Sequence, residues 1–556
     1  MKKTVSSLLL LLLGLVVGIN ANASSQQPDK MQWWKDAKFG MFIHWGIYSV
    51  PAGQWGDYTG YGEWIMLEAS IQRATYAGFA KRFNPSKFDA EEWVRLAKAA
   101  GQKYIVITAK HHDGFAMFDS KASDYNVVKA TPFKRDVIAE IAAACRKYDM
   151  KLGLYYSQAQ DWYHPGGARY GDLLWDIGQQ GDTMEYVKTV ALPQVKEILS
   201  QYGDIAILWW DTPLNLTTEM CEMLYDVASQ YPNLILNNRL GSGPKLGGDI
   251  ETPEQAVPAT GLKGKNWEVC MTMNEHWGYN AFDEQWKSTR ELLHMLIDIV
   301  SKGGNFLLNV GPTSEGVIPP VCQNTLREMG EWLDINGEAI YGTTASPFPH
   351  LSWGRATRKG QKLYLHVFDW KSDGKLELPL KGGVRDAYLL ADKNHHLKMK
   401  ATRDGLEISL PAYAPDRNAS VIVLDLTGEP VVDEIPSLHA VMKVDGEVVS
   451  LLNDEDNSAV WKARDEEREA TVYVEFPKEE RISALSFIEP WEHWSNRSQE
   501  YDLQYLNGSK WVSACSGKTD GTGITVDFKG VRASRFRLIL KNADTEPSLK
   551  ELILYR

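Results

Sequence analysis

A single carboxylate at the end of an apolar run is the first candidate for chemistry. Residues 205–213 read IAILWWDTP, a run of strand length followed by Asp211 and by Pro213. Proline lacks a backbone donor, so the strand should end here. Because side chains alternate along a strand, Trp209 and Asp211 should share one face, with Trp210 on the other. An indole beside a carboxylate at a strand end is typical of a sugar site; alternatively, Asp211 caps a following helix.

Glycoside hydrolysis requires a second carboxyl group. One carboxylate attacks the anomeric carbon or activates water, while the other group protonates the leaving oxygen. Asp211 suits the first role, and Glu254, in the sequence GDIETPEQ, is the best-placed partner for the second. The alternative for Glu254 is a solvated loop charge, which is the commoner state of any single glutamate in a loop.

Polar residues also follow other apolar runs. They are His44, His111 and His112, Tyr155 with Ser157, Asn238 and Arg239, and then Asp249 and Glu251. Residues at the carboxyl ends of barrel strands build active sites. Two adjacent histidines could also bind a metal, but no third ligand has a suitable spacing, so the pattern favours hydrogen-bonding roles and no metal site is predicted.

Strand-like and helix-like segments alternate from about Met31 to Thr344. The apolar runs cover residues 39–44, 104–108, 151–156, 205–210, 234–236, 267–271 and 306–310, and amphipathic helices cover 136–147, 186–201, 217–231, 289–302 and 320–335. A further helix begins at Asp89, with Glu92 completing a capping box. This alternation predicts an α/β fold with a helix-covered parallel sheet, most simply a (β/α)8-like TIM barrel. The eighth strand has no clear counterpart in the sequence.

The pattern changes after Tyr341-Gly342 to short strand-like runs without helical periodicity. These runs include LYLHVF, LELPL and ASVIVLDL, then ATVYVEF, EYDLQYL, ITVDF and SRFRLIL, with a hairpin turn at Asn507-Gly508. Gly428-Glu429-Pro430 is typical of a linker. We therefore expect a catalytic barrel over residues 24–345, a small antiparallel β-sandwich over 346–429 and a second one over 430–556.

The N-terminal 23 residues are typical of an export signal. Lys2 and Lys3 precede an apolar run from Leu8 to Val17, and Ala21-Asn22-Ala23 resembles a cleavage site. The run is too short to span a bilayer comfortably, and no later stretch is apolar enough. The expected location is the bacterial periplasm or the medium.

Composition limits the partners further. A net charge of −12 argues against nucleic acid and anionic membranes, whereas 20 Trp and 24 Tyr slightly favour carbohydrate. Five singly spaced cysteines indicate neither a disulfide framework nor a zinc site. Carboxylate chemistry needs only water, so no cofactor is predicted; a structural calcium ion in a β domain is left open, as is the oligomeric state.

Several motifs together resemble one enzyme family. The segments are WWKDAKFGMFIHWGIYSVPAGQW, GEWIM, KHHDGFAMFDS, GLYYS, ILWWD and SKGGNFLLNVGP, in that order between about residues 31 and 345. They look like the α-L-fucosidases of glycoside hydrolase family 29. The resemblance implies a (β/α) barrel with a C-terminal β-sandwich, and a fucosylated oligosaccharide or glycoconjugate as the substrate.

The resemblance also implies residue roles. In this family a retaining double displacement uses the Asp of the WWD motif, here Asp211, as the nucleophile. The acid/base is a Glu in D-x-x-T-x-E, which matches residues 249–254 and implies Glu254, with Glu251 as the fallback. The implied fucose-binding residues are His44, Glu63, Trp64, His111, His112, Tyr155, Trp209, Arg239 and Trp277.

Two other functions are alternatives to an exported exo-acting fucosidase. One is a lectin-like fucose-binding protein without turnover, which the presence of both carboxylates disfavours. The other is an exo-galactosidase, since galactose shares the hydroxyl pattern of fucose but carries a hydroxymethyl group where fucose has a methyl. Residues from about 434 to 556 resemble a discoidin-like, galactose-binding-like module, which could bind sugar or act as a spacer.

Overall fold

The computed structural model describes residues 29–170, 173–454, 459–490, 499–519 and 523–556. The predicted export signal, residues 1–23, lies outside these ranges. Within them, no helix combines the length and the apolar character needed to cross a bilayer.

Seven parallel strands form the first sheet. They are β1 (Phe39–Ile43), β2 (Tyr104–Lys110), β3 (Lys151–Tyr156), β4 (Ile207–Trp210), β5 (Ile235–Leu236), β6 (Glu268–Thr272) and β7 (Asn305–Val310). Their order across the sheet is β5-β4-β3-β2-β1-β7-β6, and each neighbouring pair is parallel. Apart from Lys151 every strand residue is buried, because helices cover the outer face and side chains fill the inner one.

An irregular segment lies between the two edge strands, β5 and β6. Isolated parallel bridges join Asn237 to Ile250, Glu251 to Trp267, and Glu254 to Cys270. Pro253 has no N–H to donate, which prevents a continuous ladder here. Among the described residues this segment forms only isolated bridges and no continuous eighth strand, and the broken pairing explains why no apolar run marks it.

The predicted alternation along β4 is confirmed. Trp209 belongs to the interior cluster with Phe42, Tyr155 and Leu307, whereas Trp210 packs in the larger core between sheet and helices. Asp211 therefore leaves the strand on the interior face, where a barrel places its site.

The helices follow the predicted segments closely. They are α1 (Gln32–Ala37), α2 (Ile65–Glu68), α3 (Arg73–Ala77), α4 (Ala90–Ala99), α5 (Val127–Ala130), α6 (Val137–Lys147), α7 (Thr183–Tyr186), α8 (Leu192–Ser200), α9 (Thr218–Ala228), α10 (Thr289–Ser301) and α11 (Pro320–Asn336). Asp89 caps α4 by accepting a hydrogen bond from the backbone N–H of Glu92 at 3.0 Å. The helix predicted over 186–201 instead contains a π-helical turn, Val187–Ala191, between α7 and α8. Pro193 lacks the N–H that a regular helix needs, which accounts for the irregular turn before it.

The C-terminal part is antiparallel, as predicted. A five-stranded and a three-stranded sheet comprise β8 (Gly354–Lys359), β9 (Lys362–Val367), β10 (Lys375–Leu378), β11 (Val384–Leu389), β12 (Asp392–His396), β13 (Met399–Ala401), β14 (Leu406–Ser409) and β15 (Ser420–Leu426). A seven-stranded and a two-stranded sheet then comprise β16 (Val441–Val444), β17 (Glu447–Val448), β18 (Trp461–Lys462), β19 (Ala470–Ile488), β20 (Gln499–Asn507), β21 (Lys510–Thr519), β22 (Gly523–Lys541), β23 (Ser548–Leu549) and β24 (Glu551–Tyr555). Each of the two regions has its own hydrophobic core.

A buried carboxyl group in the barrel interior should make stability depend on pH. Tyr104 and the indole of Trp209 donate hydrogen bonds to Glu268, and burial raises the pKa of this carboxyl from 4.5 to about 7. In the unfolded chain the carboxyl of Glu268 ionises at a lower pH than in the folded protein. The free energy of unfolding should therefore fall by about 3 kcal/mol as pH rises from about 4.5 to about 7. In thermal unfolding, Glu268→Gln should gain stability relative to wild type between pH 5 and pH 8.

The control for this prediction is Glu219→Gln, which changes an exposed glutamate on α9 in the same way. Its free energy of unfolding should stay within about 0.5 kcal/mol of the wild-type value, as expected for a surface substitution. If Glu268→Gln and wild type lose stability in parallel between pH 5 and pH 8, Glu268 is ionised in the folded protein and the prediction is wrong.

Candidate active site

All eleven predicted site residues line one pocket of about 340 Å³ at the carboxyl ends of the parallel strands. They are His44, Glu63, Trp64, His111, His112, Tyr155, Trp209, Asp211, Arg239, Glu254 and Trp277. The same pocket is lined by residues that sequence reasoning did not select: Phe42, Gly60, Gly62, Glu68, Thr212, Gln255, Cys270, Glu275 and His276. The buried aromatic residues form its floor, while Glu68, Gln255 and Glu275 are exposed at its mouth.

Asp211 is held by donors on both carboxylate oxygens. Its Oδ1 accepts hydrogen bonds from Arg239 Nη1 at 2.9 Å and from the backbone N–H of Thr212 at 3.0 Å, and its Oδ2 accepts one from the Tyr155 hydroxyl at 2.8 Å. The Nε2 of His112 lies 3.5 Å from Oδ2. These contacts orient a charged carboxylate while leaving its side chain 15% exposed to the pocket.

The alternative interpretation of Asp211, as a helix cap, is wrong. The following helix, α9, is capped by Thr217, whose side chain accepts a hydrogen bond from the backbone N–H of Met220. Thr212 adopts a φ of 46°, which is unusual for a β-branched residue. Gln255, directly after Glu254, has a φ of 56°. Both carboxylate residues thus precede a left-handed turn, a type of backbone strain that clusters at functional sites.

Arg239 joins the two carboxylates. Its Nη1 lies 2.9 Å from Asp211 Oδ1 and 2.8 Å from Glu254 Oε2. The rest of its guanidinium donates to Thr252, from Nε to Oγ1 and from Nη2 to the carbonyl oxygen, and it packs over the ring of Trp209 at 4.7 Å. Since all these contacts are short and directed, the guanidinium fixes the relative position of two separate loops.

The structure brings Glu254, and not Glu251, into the pocket. Glu251 points elsewhere, where it accepts hydrogen bonds from Asn238 Nδ2 at 2.6 Å and from Lys265 Nζ at 2.9 Å. Asp249 is also structural, since its side chain binds Lys30 and the backbone N–H of Leu236. Successive side chains on an extended segment point to opposite sides. Since Glu251 and Glu254 are three residues apart, their side chains point in different directions.

Neutral imidazoles line the buried part of the pocket. Burial lowers the pKa of His44 and of His112 to about 4, and it lowers the pKa of His111 well below its usual value. His44 Nδ1 lies 2.8 Å from Asn309 Oδ1, and Asn309 Nδ2 donates to the carbonyl oxygen of Trp277. This arrangement makes His44 Nδ1 the donor and leaves Nε2 as an acceptor, as a polyhydroxylated ligand requires.

Glu63 closes another side of the pocket. Its Oε2 accepts a hydrogen bond from the backbone N–H of Gly278 at 2.8 Å, and burial raises the pKa of its carboxyl to about 7. Trp64 packs edge-on against His112, with ring centroids 5.0 Å apart, and Trp277 lies 5.0 Å from the His44 ring. The pocket therefore combines hydrogen-bonding groups with aromatic faces, as sugar recognition requires.

Several supporting residues were missed from the sequence. Gln158 accepts a hydrogen bond from the Asp211 backbone N–H at 3.0 Å and donates one to the carbonyl oxygen of Arg239 at 2.8 Å. Asn237 forms two hydrogen bonds with the backbone of Trp210. Their only sequence signal was position, within two residues of the ends of β3 and β5, because their partners lie on or just after neighbouring strands.

Comparison with known proteins decides the family. The sequence model described as Alpha-L-fucosidase matches residues 19–338, more than half of the chain. The chain belongs to the alpha-L-fucosidase family. It is therefore a glycoside hydrolase, which favours an enzyme over the lectin-like alternative.

Relatives of this alpha-L-fucosidase agree with the assignment. The Alpha-L-fucosidase of Dictyostelium discoideum is 31% identical over 466 residues, covering 77% of this chain and 99% of the relative. Alpha-L-fucosidase isoenzyme 1 from Paenibacillus thiaminolyticus is 37% identical with a TM-score of 0.66, covering 72% of this chain and 99% of that structure. The alpha-L-fucosidase from Vibrio sp. strain EJY3 is 29% identical with a TM-score of 0.72, covering 95% and 98%, so its match extends into the C-terminal β region.

Proposed function

We propose that this alpha-L-fucosidase releases terminal α-linked L-fucose with retention of configuration. The observation that carries the proposal is the contact of both carboxylates with one nitrogen of Arg239, at 2.9 and 2.8 Å. Asp211 Oδ1 and Glu254 Oε2 are therefore at most 5.7 Å apart, the sum of those distances. Retaining enzymes separate their carboxyl groups by about 5 to 5.5 Å, whereas inverting ones need about 6.5 to 9.5 Å.

In the first step, Asp211 attacks the anomeric carbon. The bond from that carbon to the glycosidic oxygen breaks, the leaving oxygen takes a proton from Glu254, and a fucosyl ester forms on Asp211. In the second step, Glu254 removes a proton from water, which displaces Asp211 and restores the original configuration. Tyr155 and Arg239 donate the hydrogen bonds that orient the Asp211 carboxylate in the pocket.

Arg239 couples the charges of the two steps. Its Nη1 contacts both Asp211 Oδ1 and Glu254 Oε2. Esterification of Asp211 would remove one of the two negative charges beside the guanidinium, and Arg239 would then face Glu254 as its remaining carboxyl partner. One cation thus lies beside the acid/base group in both proposed steps.

A relative supports the covalent route. A family 29 alpha-L-fucosidase from Bacteroides thetaiotaomicron, 28% identical to this chain, was trapped as a covalent intermediate with 2-fluoro-fucosyl fluoride in a Glu-to-Gln variant. For this chain, proton NMR of fucoside hydrolysis would test retention, because the α anomer of fucose should form first. Initial release of the β anomer would instead establish inversion and overturn the proposal.

Trp277 should select fucose over galactose. Its ring packs against Phe42, with centroids 5.9 Å apart, and against His44 on the pocket wall, where the methyl group of fucose would lie. Wild type should cleave 4-nitrophenyl α-L-fucoside at least about 100-fold faster than the α-L-galactoside, because an added hydroxyl would be buried without a partner.

Trp277→Ala should reduce this preference about tenfold, mainly by losing rate on the fucoside. Trp511→Ala, on β21 in the C-terminal region, is the control and should leave the ratio unchanged. Faster cleavage of the galactoside by wild type would favour the exo-galactosidase alternative.

We infer the remaining organisation from sequence and fold together. Residues 24–345 are proposed as a closed (β/α)8-like catalytic barrel, 346–429 as a β-sandwich and 430–556 as a discoidin-like module; the separate cores of the two β regions support this division. The N-terminal pattern supports export to the periplasm or medium. Fractionation of cells producing the full chain would test export, and a cytoplasmic product that keeps residues 1–23 would contradict it.

A further inference from the structure

The two ring nitrogens of His112 face different environments. Nδ1 lies 2.6 Å from Ser157 Oγ, in a pair whose side chains are both buried. Nε2 faces the pocket, 3.5 Å from Asp211 Oδ2 and 3.4 Å from Thr212 Oγ1. The contacts of Ser157 therefore decide which hydrogen-bonding group the ring presents beside Asp211.

The hydroxyl proton of Ser157 is already used. Ser157 Oγ lies 2.9 Å from the carbonyl oxygen of Gln160, which can only accept, so the hydroxyl donates there. The oxygen of Ser157 must then accept a hydrogen bond from Nδ1 of His112. Because burial lowers the pKa of His112 to about 4, the ring is neutral near pH 7 and carries a lone pair on Nε2.

We propose that Ser157 is a positioning residue that fixes this tautomer, so that His112 Nε2 accepts a hydrogen bond from the 2-hydroxyl of the fucosyl unit. The lone pair of Nε2 and the carboxylate oxygen of Asp211 are both acceptors, and a donor from the substrate fits beside them. Asp211 attacks the anomeric carbon in the proposed mechanism, on which this inference rests. The hydroxyl on the neighbouring carbon is therefore the one that reaches both groups.

The hydrogen bond between the 2-hydroxyl and His112 Nε2 should contribute most in the transition state. Hydrogen bonds to the 2-hydroxyl strengthen as the oxocarbenium-like charge develops in glycosidases. Without Ser157, Nδ1 has no fixed acceptor, and the ring can move its proton to Nε2, which then no longer accepts a hydrogen bond from the sugar. Both changes weaken the reaction of substrates that carry a 2-hydroxyl.

The test compares two substrates in Ser157→Ala. On 4-nitrophenyl α-L-fucoside, kcat/KM should fall about tenfold, the effect of about one neutral hydrogen bond. On the 2-deoxy substrate, corrected for spontaneous hydrolysis, it should fall less than about twofold. Ser486→Ala is the matched control, because Ser486 is also buried and donates to a backbone carbonyl, that of Ile524, in the C-terminal region. It should leave both rates unchanged.

The outcomes separate this inference from the proposed mechanism. Equal losses on both substrates, or no loss on the fucoside, would overturn the role of Ser157. Inactivity of wild type on the fucoside would instead contradict the proposed function. If Ser157→Ala does not fold, Ser157→Cys, with a weaker acceptor of similar size, should shift the ratio of the two rates in the same direction by a smaller factor.

Discussion

Asp211→Ala is expected to lower kcat on 4-nitrophenyl α-L-fucoside by at least about 10⁴-fold, because it removes the carboxylate that we propose as the nucleophile. Tyr155 and Arg239 would still shape the pocket, so binding of a fucose analogue should persist. Azide should restore part of the rate by entering the space of the lost carboxylate. Azide attacks the anomeric carbon in a single displacement, from the face that Asp211 would have attacked. One displacement inverts the configuration, so the product should be the β-fucosyl azide.

The control for Asp211→Ala is Asp204→Ala. Asp204 is exposed just before β4, at the opposite end of the same strand. Its replacement should leave kcat within about twofold of wild type, as expected for a surface change. If Asp211→Ala keeps more than about a hundredth of the wild-type rate, Asp211 is not the nucleophile.

Glu254→Ala is expected to show a loss that depends on the leaving group. General acid catalysis contributes about 10² to 10⁴-fold, so a fucosyl disaccharide, whose sugar alcohol leaves poorly, should lose activity within that range. The 4-nitrophenyl fucoside needs little protonation, and its first step should be affected least. Azide should accelerate the second step, and since Asp211 has already inverted the centre once, the product should be the α-fucosyl azide.

Opposite anomers from the two variants would distinguish the two carboxylates without reference to absolute rates. Glu251→Ala is the comparison for Glu254→Ala, because Glu251 comes from the same segment but binds Asn238 and Lys265 outside the pocket. Its disaccharide activity should remain within a few fold of wild type. A larger loss in Glu251→Ala than in Glu254→Ala would exchange their roles.

Much of the barrel was predictable because its strands carry strong local signals. The run before Asp211 is apolar and of strand length, and alternation correctly placed Trp209 inside the barrel and Trp210 outside. The irregular segment with Glu254 was harder, because three isolated bridges leave no hydrophobic period to detect. The position of Glu254 on the loop after the fifth strand, and then motif resemblance, favoured it over Glu251.

The supporting hydrogen bonds could not be predicted. Gln158 contacts Asp211 and Arg239, which are 53 and 81 residues away along the chain. Asn309 reaches His44 across 265 residues. Such pairs depend on the register between neighbouring strands, and the sequence of a single strand contains no information about its neighbour's register.

The most direct test of the central claim is mass spectrometry of the enzyme after reaction with 2-deoxy-2-fluoro-α-L-fucosyl fluoride. The fluorine at C2 slows both steps, whereas the fluoride at the anomeric carbon is a good leaving group and lets the first step proceed. The ester on the enzyme should therefore accumulate. We predict one fluorofucosyl group per chain, attached to Asp211 in the peptide containing ILWWD. A label on any other residue, or turnover of the reagent with no covalent species detected, would contradict the assignment of Asp211 as the nucleophile.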